Sequence, residues 1–211
     1  MADDDLELRI AWQRHLGRTP ASMDWFDSVV ARYRQPGRHY HSVRHIRWVV
    51  RHVTGLAPVT HDLGAVIAAA FFHDVVYDPT HTDNETASAQ LAERALTELG
   101  WKPQRCRRVA ELILATIDHD IAADGCDPDT QVLLAADLAV LAAEPARYSD
   151  YVRAVRREYA HVSDGDWSVG RSAVLRSLLG RRHLFAPALD LNAWEQRARA
   201  NLSAELATLG D

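Results

Sequence analysis

Cysteine is almost missing from this 211-residue chain: Cys106 and Cys126 stand far apart, in no metal-like spacing. That excludes a disulfide framework and a zinc ribbon. Long apolar runs are missing too. The most apolar stretch, Ala65 to Phe72, is much shorter than the roughly 20 residues of a membrane span. The opening Met1-Ala2-Asp3-Asp4-Asp5 is acidic and precedes no apolar run, the reverse of a secretory signal. There is no basic excess. The net charge of −5 gives no general field for a nucleic-acid polymer, although a local arginine cluster still suits a phosphate. Strand-like alternation is scarce, and no repeat, low-complexity tract or long linker interrupts the chain. The expectation is a cytoplasmic protein with reduced thiols and neither membrane nor nucleic-acid partners.

What is present is helical periodicity on a chain that is 47% apolar, enough for a sizeable core. Helices are predicted at about 4–16, 21–34, 41–54, 61–77, 84–99, 104–118, 129–142, 146–161, 167–180 and 190–208. Thr82 with Glu85 reads as a capping box, and Asp127-Pro128 as a cap followed by proline at the first helical position. Gly100 suits a left-handed helix end, and Gln35-Pro36-Gly37 breaks the chain. The loops at 120–128 and 162–166 are short and polar. Nothing marks a boundary, so one all-α domain over 1–211 is expected. Its motif-bearing core covers about 20–165, and the helices beyond are read as packing or homodimer surface.

The chemistry lies in ionisable residues set inside apolar helices. His73 and Asp74 follow Ala65-Val66-Ile67-Ala68-Ala69-Ala70-Phe71-Phe72 and precede Val75-Val76. A buried carboxylate must be paired, protonated or metal-bound, because leaving it bare costs several kcal/mol. Asp137 is the only charge in Leu133-Leu134-Ala135-Ala136-Asp137-Leu138-Ala139-Val140-Leu141. His41 and His45 are four apart and are expected to share a helical face. One His, a His-Asp pair and a distant Asp on three helices make a nitrogen and oxygen donor set suited to zinc, manganese, iron or magnesium-like ions. His-Asp also occurs at 61–62 and 119–120, near a helix start and a helix end where both look solvent-exposed.

These residues resemble the HD-domain superfamily of metal-dependent phosphohydrolases, whose signature is His, His-Asp and Asp from separate helices. A subgroup of similar length resembles this chain in Arg38-His39-Tyr40-His41, Phe72-His73-Asp74-Val75-Val76-Tyr77, Asp83-Asn84-Glu85, Ala136-Asp137-Leu138 and Arg156-Arg157-Glu158-Tyr159. The likeness covers roughly 20 to 165. It implies a helical HD-type bundle holding a divalent metal on His45, His73, Asp74 and Asp137. It implies hydrolysis of a phosphate ester of a small metabolite or nucleotide by a metal-activated water, with Asp74 accepting the proton. The Tyr40-His41 to His45 spacing also resembles cyclic-nucleotide phosphodiesterases, where the first histidine protonates the leaving group; His41 is the matching position. Arg38, Arg44 and Arg156 are the candidate phosphate-binding cations. Some relatives in the superfamily hold two metals through two further histidines. Here only His81 and His119 lie between, and His119, after the apolar Leu112 to Ile117, is the better placed. Asp83-Asn84-Glu85 reads mainly as a helix start. Arg156, Glu158 and Tyr159 read equally as a structural cluster or a substrate contact. The competing functions are a non-enzymatic metal- or nucleotide-binding protein and a di-iron oxygenase on the same scaffold.

Overall fold

The computed structural model describes residues 3–121 and 126–209, so the loop expected at 120–128 lies partly outside the described residues. These residues form ten α-helices and no strand. In chain order they are α1 (Asp3–His15), α2 (Pro20–Arg32), α3 (Val43–Gly55), α4 (Leu63–Phe72) and α5 (Asn84–Glu98). They continue as α6 (Pro103–Leu114), α7 (Pro128–Asp137), α8 (Pro145–Glu158), α9 (Asp164–Gly180) and α10 (Asn192–Leu209). Four of them begin on a proline, whose fixed φ and missing N–H suit the first helical position. Asp127 caps α7 by accepting the Thr130 N–H at 3.0 Å, and Gly100 closes α5 at φ +78°.

Every expected helix is present, but several ends differ in one direction. α4 stops at Phe72 rather than near 77, α6 at Leu114 rather than 118, and α7 at Asp137, where a 3₁₀ turn (Leu138–Ala142) takes over. α3 starts at Val43, so His41 precedes the helix and does not share its face with His45. The capping box also fails: α5 is capped by Asp83, without a side-chain bond, and Asn84 instead latches the preceding loop. Its carboxamide accepts the Asp78 N–H at 3.0 Å and donates to the Asp78 carbonyl at 2.8 Å.

α4 is the central element. Every residue from Ala65 to Phe72 is buried, which explains why the stretch is apolar all round rather than on one stripe. α1, α3, α5, α6 and α7 pack around it. α3 presents His45, Ile46, Val49, Val50 and Val53 inward, the i, i+4, i+8 stripe of an amphipathic helix. Trp12 is fully buried against Phe71 and Phe26, with ring centres at 5.0 and 5.7 Å, and its Nε1–H donates to Ser22 Oγ at 2.9 Å.

A second apolar cluster joins the turn after α7 to α8, α9 and α10 through Leu141, Tyr148, Leu175, Ala198 and Leu202. It is locked by a buried ion pair. Arg171 donates to both carboxylate oxygens of Glu205, at 2.7 and 3.0 Å, and Tyr148 donates to the same group. Asn201 donates to the carbonyls of Leu141 and Ala143 at 2.8 and 2.9 Å. The C-terminal helices thereby fix the turn that immediately follows Asp137. Among the described residues no helix is long and apolar enough to cross a membrane.

Candidate metal centre

Three helices end or pass at one point. His73 caps the C-terminus of α4, Asp74 is the next residue, Asp137 is the last residue of α7, and His45 lies in the first turn of α3. The Nε2 atoms of His45 and His73 are 3.0 Å apart. Asp74 Oδ2 is 3.2 Å from the first and 3.1 Å from the second. Asp137 Oδ1 is 3.2 and 3.5 Å from the same two nitrogens. The ligand atoms of His45, His73 and Asp74 lie within 4.8 Å of one another. Asp137 meets this trio through the imidazoles. The imidazoles are sealed, with 1% and 0% of their side-chain surface exposed, whereas the carboxylates keep 16% and 13%. The cluster is therefore reached from its acidic side.

The donor set is suited to a cation. Among the described residues neither carboxylate pairs with a lysine or arginine; each faces only imidazoles. The Nδ1–H of His73 donates to the Ala70 carbonyl at 3.0 Å, which leaves its Nε2 lone pair aimed at the centre. Burial alone would lower the His73 pKa, but Asp74 and Asp137 hold it well above its ordinary range. His45 is raised in the same way, against burial, by hydrogen bonds to Asp137 and Asp74. Burial would raise both carboxylates, yet His73 and its neighbours hold Asp74 and Asp137 well below the ordinary range. The four groups thus require positive charge at their meeting point. Protons supply it in the absence of an ion, and a metal must displace them.

Glu158, the last residue of α8, organises the approach. It is buried, and its Oε1 accepts three successive backbone N–H groups, from His39, Tyr40 and His41, at 2.7, 2.7 and 3.0 Å. Its Oε2 accepts His41 Nδ1–H at 2.7 Å and the Tyr77 hydroxyl at 3.0 Å. Burial pushes this carboxyl up, but His41 and the backbone N–H groups outweigh it and bring the pKa down to about 2. An ionised carboxylate only accepts, so Nδ1 of His41 carries the proton and Nε2 is left for a ligand. The His41 ring stacks on Tyr77 at 4.1 Å and stands 5.7 Å from the His45 ring. The spacing of His41 from His45 gives no hint of this arrangement. The acid that makes it lies 117 residues away and shows in the sequence only as part of Arg156-Arg157-Glu158-Tyr159.

The other sequence candidates are placed as follows. Arg38 is turned inward: it donates to the carbonyls of Asp74 at 2.6 Å, Val75 at 3.0 Å and His41 at 3.2 Å. It clamps two site segments together. Arg156 donates to the carbonyls of Tyr159 and Val162 and to the Asp164 carboxylate. Arg44 is exposed at the mouth of a cavity. His119 is not an idle surface residue, because its Nε2 lies 2.7 Å from Asp137 Oδ2. Its φ of +48° is unusual for a side chain of this size. Arg181 donates to the carbonyls of Asp118 and His119, both at 2.7 Å, and holds that turn. His81 lies at the surface beside Asp78 and Asp83, at 3.8 and 3.7 Å. His61-Asp62 is a helix start, with Asp62 capping α4 and bound to Arg105. No protein-family model, no curated protein and no solved structure matches this chain.

Proposed function

We propose that this chain is a metal-dependent phosphohydrolase of the HD type, acting on a phosphate ester of a small metabolite or nucleotide. The observation that carries the reading is the meeting of the His45 and His73 Nε2 atoms with Asp74 Oδ2, 3.0 to 3.2 Å apart, with Asp137 Oδ1 3.2 and 3.5 Å from the same two nitrogens. Ligands about 2.1 Å from a shared ion stand about 3.0 Å apart at right angles. His45, His73, Asp74 and Asp137 would hold the ion. When bound, a divalent cation supplies Lewis acidity toward a phosphoryl oxygen and lowers the pKa of water beside it.

The chain's own groups supply the rest. Asp74 and Asp137 are the partly exposed members of the cluster, which places Asp74 beside the attacking water, and an ion in place of the imidazole protons would leave it free to accept a proton. His41, held by Glu158 through Nδ1, presents Nε2 to the departing oxygen. The dinuclear alternative needs two more histidines close together. His119 stands at Asp137 but His81 does not approach, which favours one ion.

The test joins two measurements. Protein purified without added metal is analysed for its elements, and the protein supplied with manganese or magnesium is screened against phosphate monoesters. About one equivalent of metal and release of phosphate are expected, both lost in Asp74→Ala. Full metal content and full turnover in that variant end the reading.

A further inference from the structure

A cavity of about 90 Å³ opens beside the metal centre, and His45 is common to both. His39, Tyr40, Trp48, Arg147 and Tyr151 help to form its wall, with Arg44 at its mouth. At that size it has room for part of a small molecule rather than a whole drug-sized ligand. Two observations say what it lacks. Trp48 Nε1 and His45 Nδ1 are buried polar nitrogens with no hydrogen-bond partner, on successive turns of α3. An indole N–H only donates, so an acceptor atom is missing there. Arg44 and Arg147 are the second observation. Among the described residues Arg44 has no ion pair or hydrogen bond, and Arg147 is engaged only by the face of Trp48, at 4.0 Å. Asp150, the one acid in the wall, is already paired with Arg153. Arg147 packs over the Trp48 ring at 4.0 Å and the His52 ring centre lies 4.4 Å away, so the ring is already engaged while its N–H is not.

Resting on the phosphohydrolase reading above, we propose that this cavity receives the part of the substrate that leaves. It selects a leaving group with a second anionic group, which Arg44 and Arg147 hold while an acceptor atom takes the Trp48 N–H. The reacting phosphate lies at the metal centre and the second charge lies at the cavity mouth, with His45 between them.

The experiment uses non-hydrolysable ligands, so it does not depend on turnover. Phenylphosphonate, 4-carboxyphenylphosphonate and 1,4-phenylenediphosphonate are titrated calorimetrically into the metal-loaded protein. The two ligands with a second anionic group are expected to bind about fivefold to tenfold tighter than phenylphosphonate, the scale of two partly exposed ion pairs. The carboxylate and phosphonate arms say which anion the mouth prefers. The preference should fall to within about twofold in an R44A/R147A double variant and shrink with added salt. Because both arginines are at the surface and only the ratio is read, loss of fold is not mistaken for loss of selectivity. W48F is expected to weaken the two ligands that carry a second anionic group, which offers the acceptor, and to leave phenylphosphonate within about twofold. Equal binding of the three ligands, absence of binding, or a preference that survives in the double variant overturns the assignment. Turnover of phosphate monoesters without charge preference removes this assignment alone. Charge preference in a protein that hydrolyses nothing removes the phosphohydrolase reading alone.

Discussion

Replacing Glu158 with glutamine tests the approach to the centre at a single atom. The amide oxygen of glutamine can still accept the three backbone N–H groups that now meet Oε1. The amide nitrogen then faces His41 Nδ1 and the Tyr77 hydroxyl, where Oε2 accepts at 2.7 and 3.0 Å. An N–H cannot accept from Nδ1–H, so His41 must change tautomer or lose its tether. Removing a positioned general acid typically costs about 100-fold or more. An alkyl phosphate, whose leaving oxygen needs a proton, should therefore lose at least about 100-fold in kcat, and p-nitrophenyl phosphate less than about tenfold. Stability gives a second readout. The folded pKa of Glu158 is depressed from its ordinary 4.5 to about 2. Its ionised form therefore stabilises the fold above pH 4.5, and that contribution is lost as pH falls toward 2. A shift of this size is worth roughly 3 kcal/mol at pH 7. In urea titrations the gap between wild type and E158Q should narrow by about 2 kcal/mol from pH 7 to pH 3. Equal loss of kcat on both esters in a folded, metal-loaded variant refutes the proton-donor role of His41. A stability gap that stays constant with pH refutes the account of the buried carboxylate.

Two further outcomes follow from the clamps around the centre. His119→Ala should weaken metal binding about 10- to 100-fold, as loss of an outer hydrogen bond to a ligand does, while elemental analysis still finds one ion per chain at saturation. A fall from two ions to one makes His119 a ligand instead. Arg38→Met should lower stability by about 3 kcal/mol or more in urea unfolding, because three carbonyls at the site lose their donor. A higher KM with unchanged stability would instead mark Arg38 as a phosphate contact.

Much of the helical order was legible, because apolar periodicity and proline caps are local signals. Ala65 to Phe72 announces a buried helix by having no polar face, and Pro128 after Asp127 announces where α7 begins. The choice of His73-Asp74 among three His-Asp pairs came from the same apolar context. The ends of the site-bearing helices were not legible. Val75, Val76 and Leu138 to Leu141 continue the apolar pattern, but the chain leaves the α-helix at Phe72 and Asp137 for tertiary reasons. Tyr33 accepts the Asp74 N–H and donates to the Phe71 carbonyl, Arg38 takes the next carbonyls, and Asn201 takes the carbonyls of Leu141 in the 3₁₀ turn and Ala143 just past it. Each of these partners is far away in sequence, and no window of neighbouring residues contains them. His41 was misplaced for the same reason: an acid at the end of α8 peels residues 39–41 off the start of α3.

These misplaced ends bear on the chemistry itself. Backbone dipoles place partial negative charge at a helix C-terminus. α4 ends at His73, α7 ends at Asp137, and α6 ends a few residues before His119, which bonds to Asp137. Two carboxyl-terminal ends and two carboxylates therefore meet at the His45 and His73 imidazoles. That polarity favours positive charge at the centre, which the raised imidazoles supply as protons and which, on the proposed reading, a metal ion would supply toward a phosphate ester. The opposite arrangement exists at Glu158, where backbone N–H groups leading into α3 surround a carboxylate and keep it ionised. The fold thus separates two carboxylate environments by means of backbone polarity. One is built at helix carboxyl ends and favours a cation. The other is built from N–H groups, which keep its acid ionised where it orients His41 and Tyr77. A variant that extends α4 by a turn would preserve the residues of the motif and still move Asp74 out of the first environment, so helix termination at Phe72 is as much a part of the site as the ligands are.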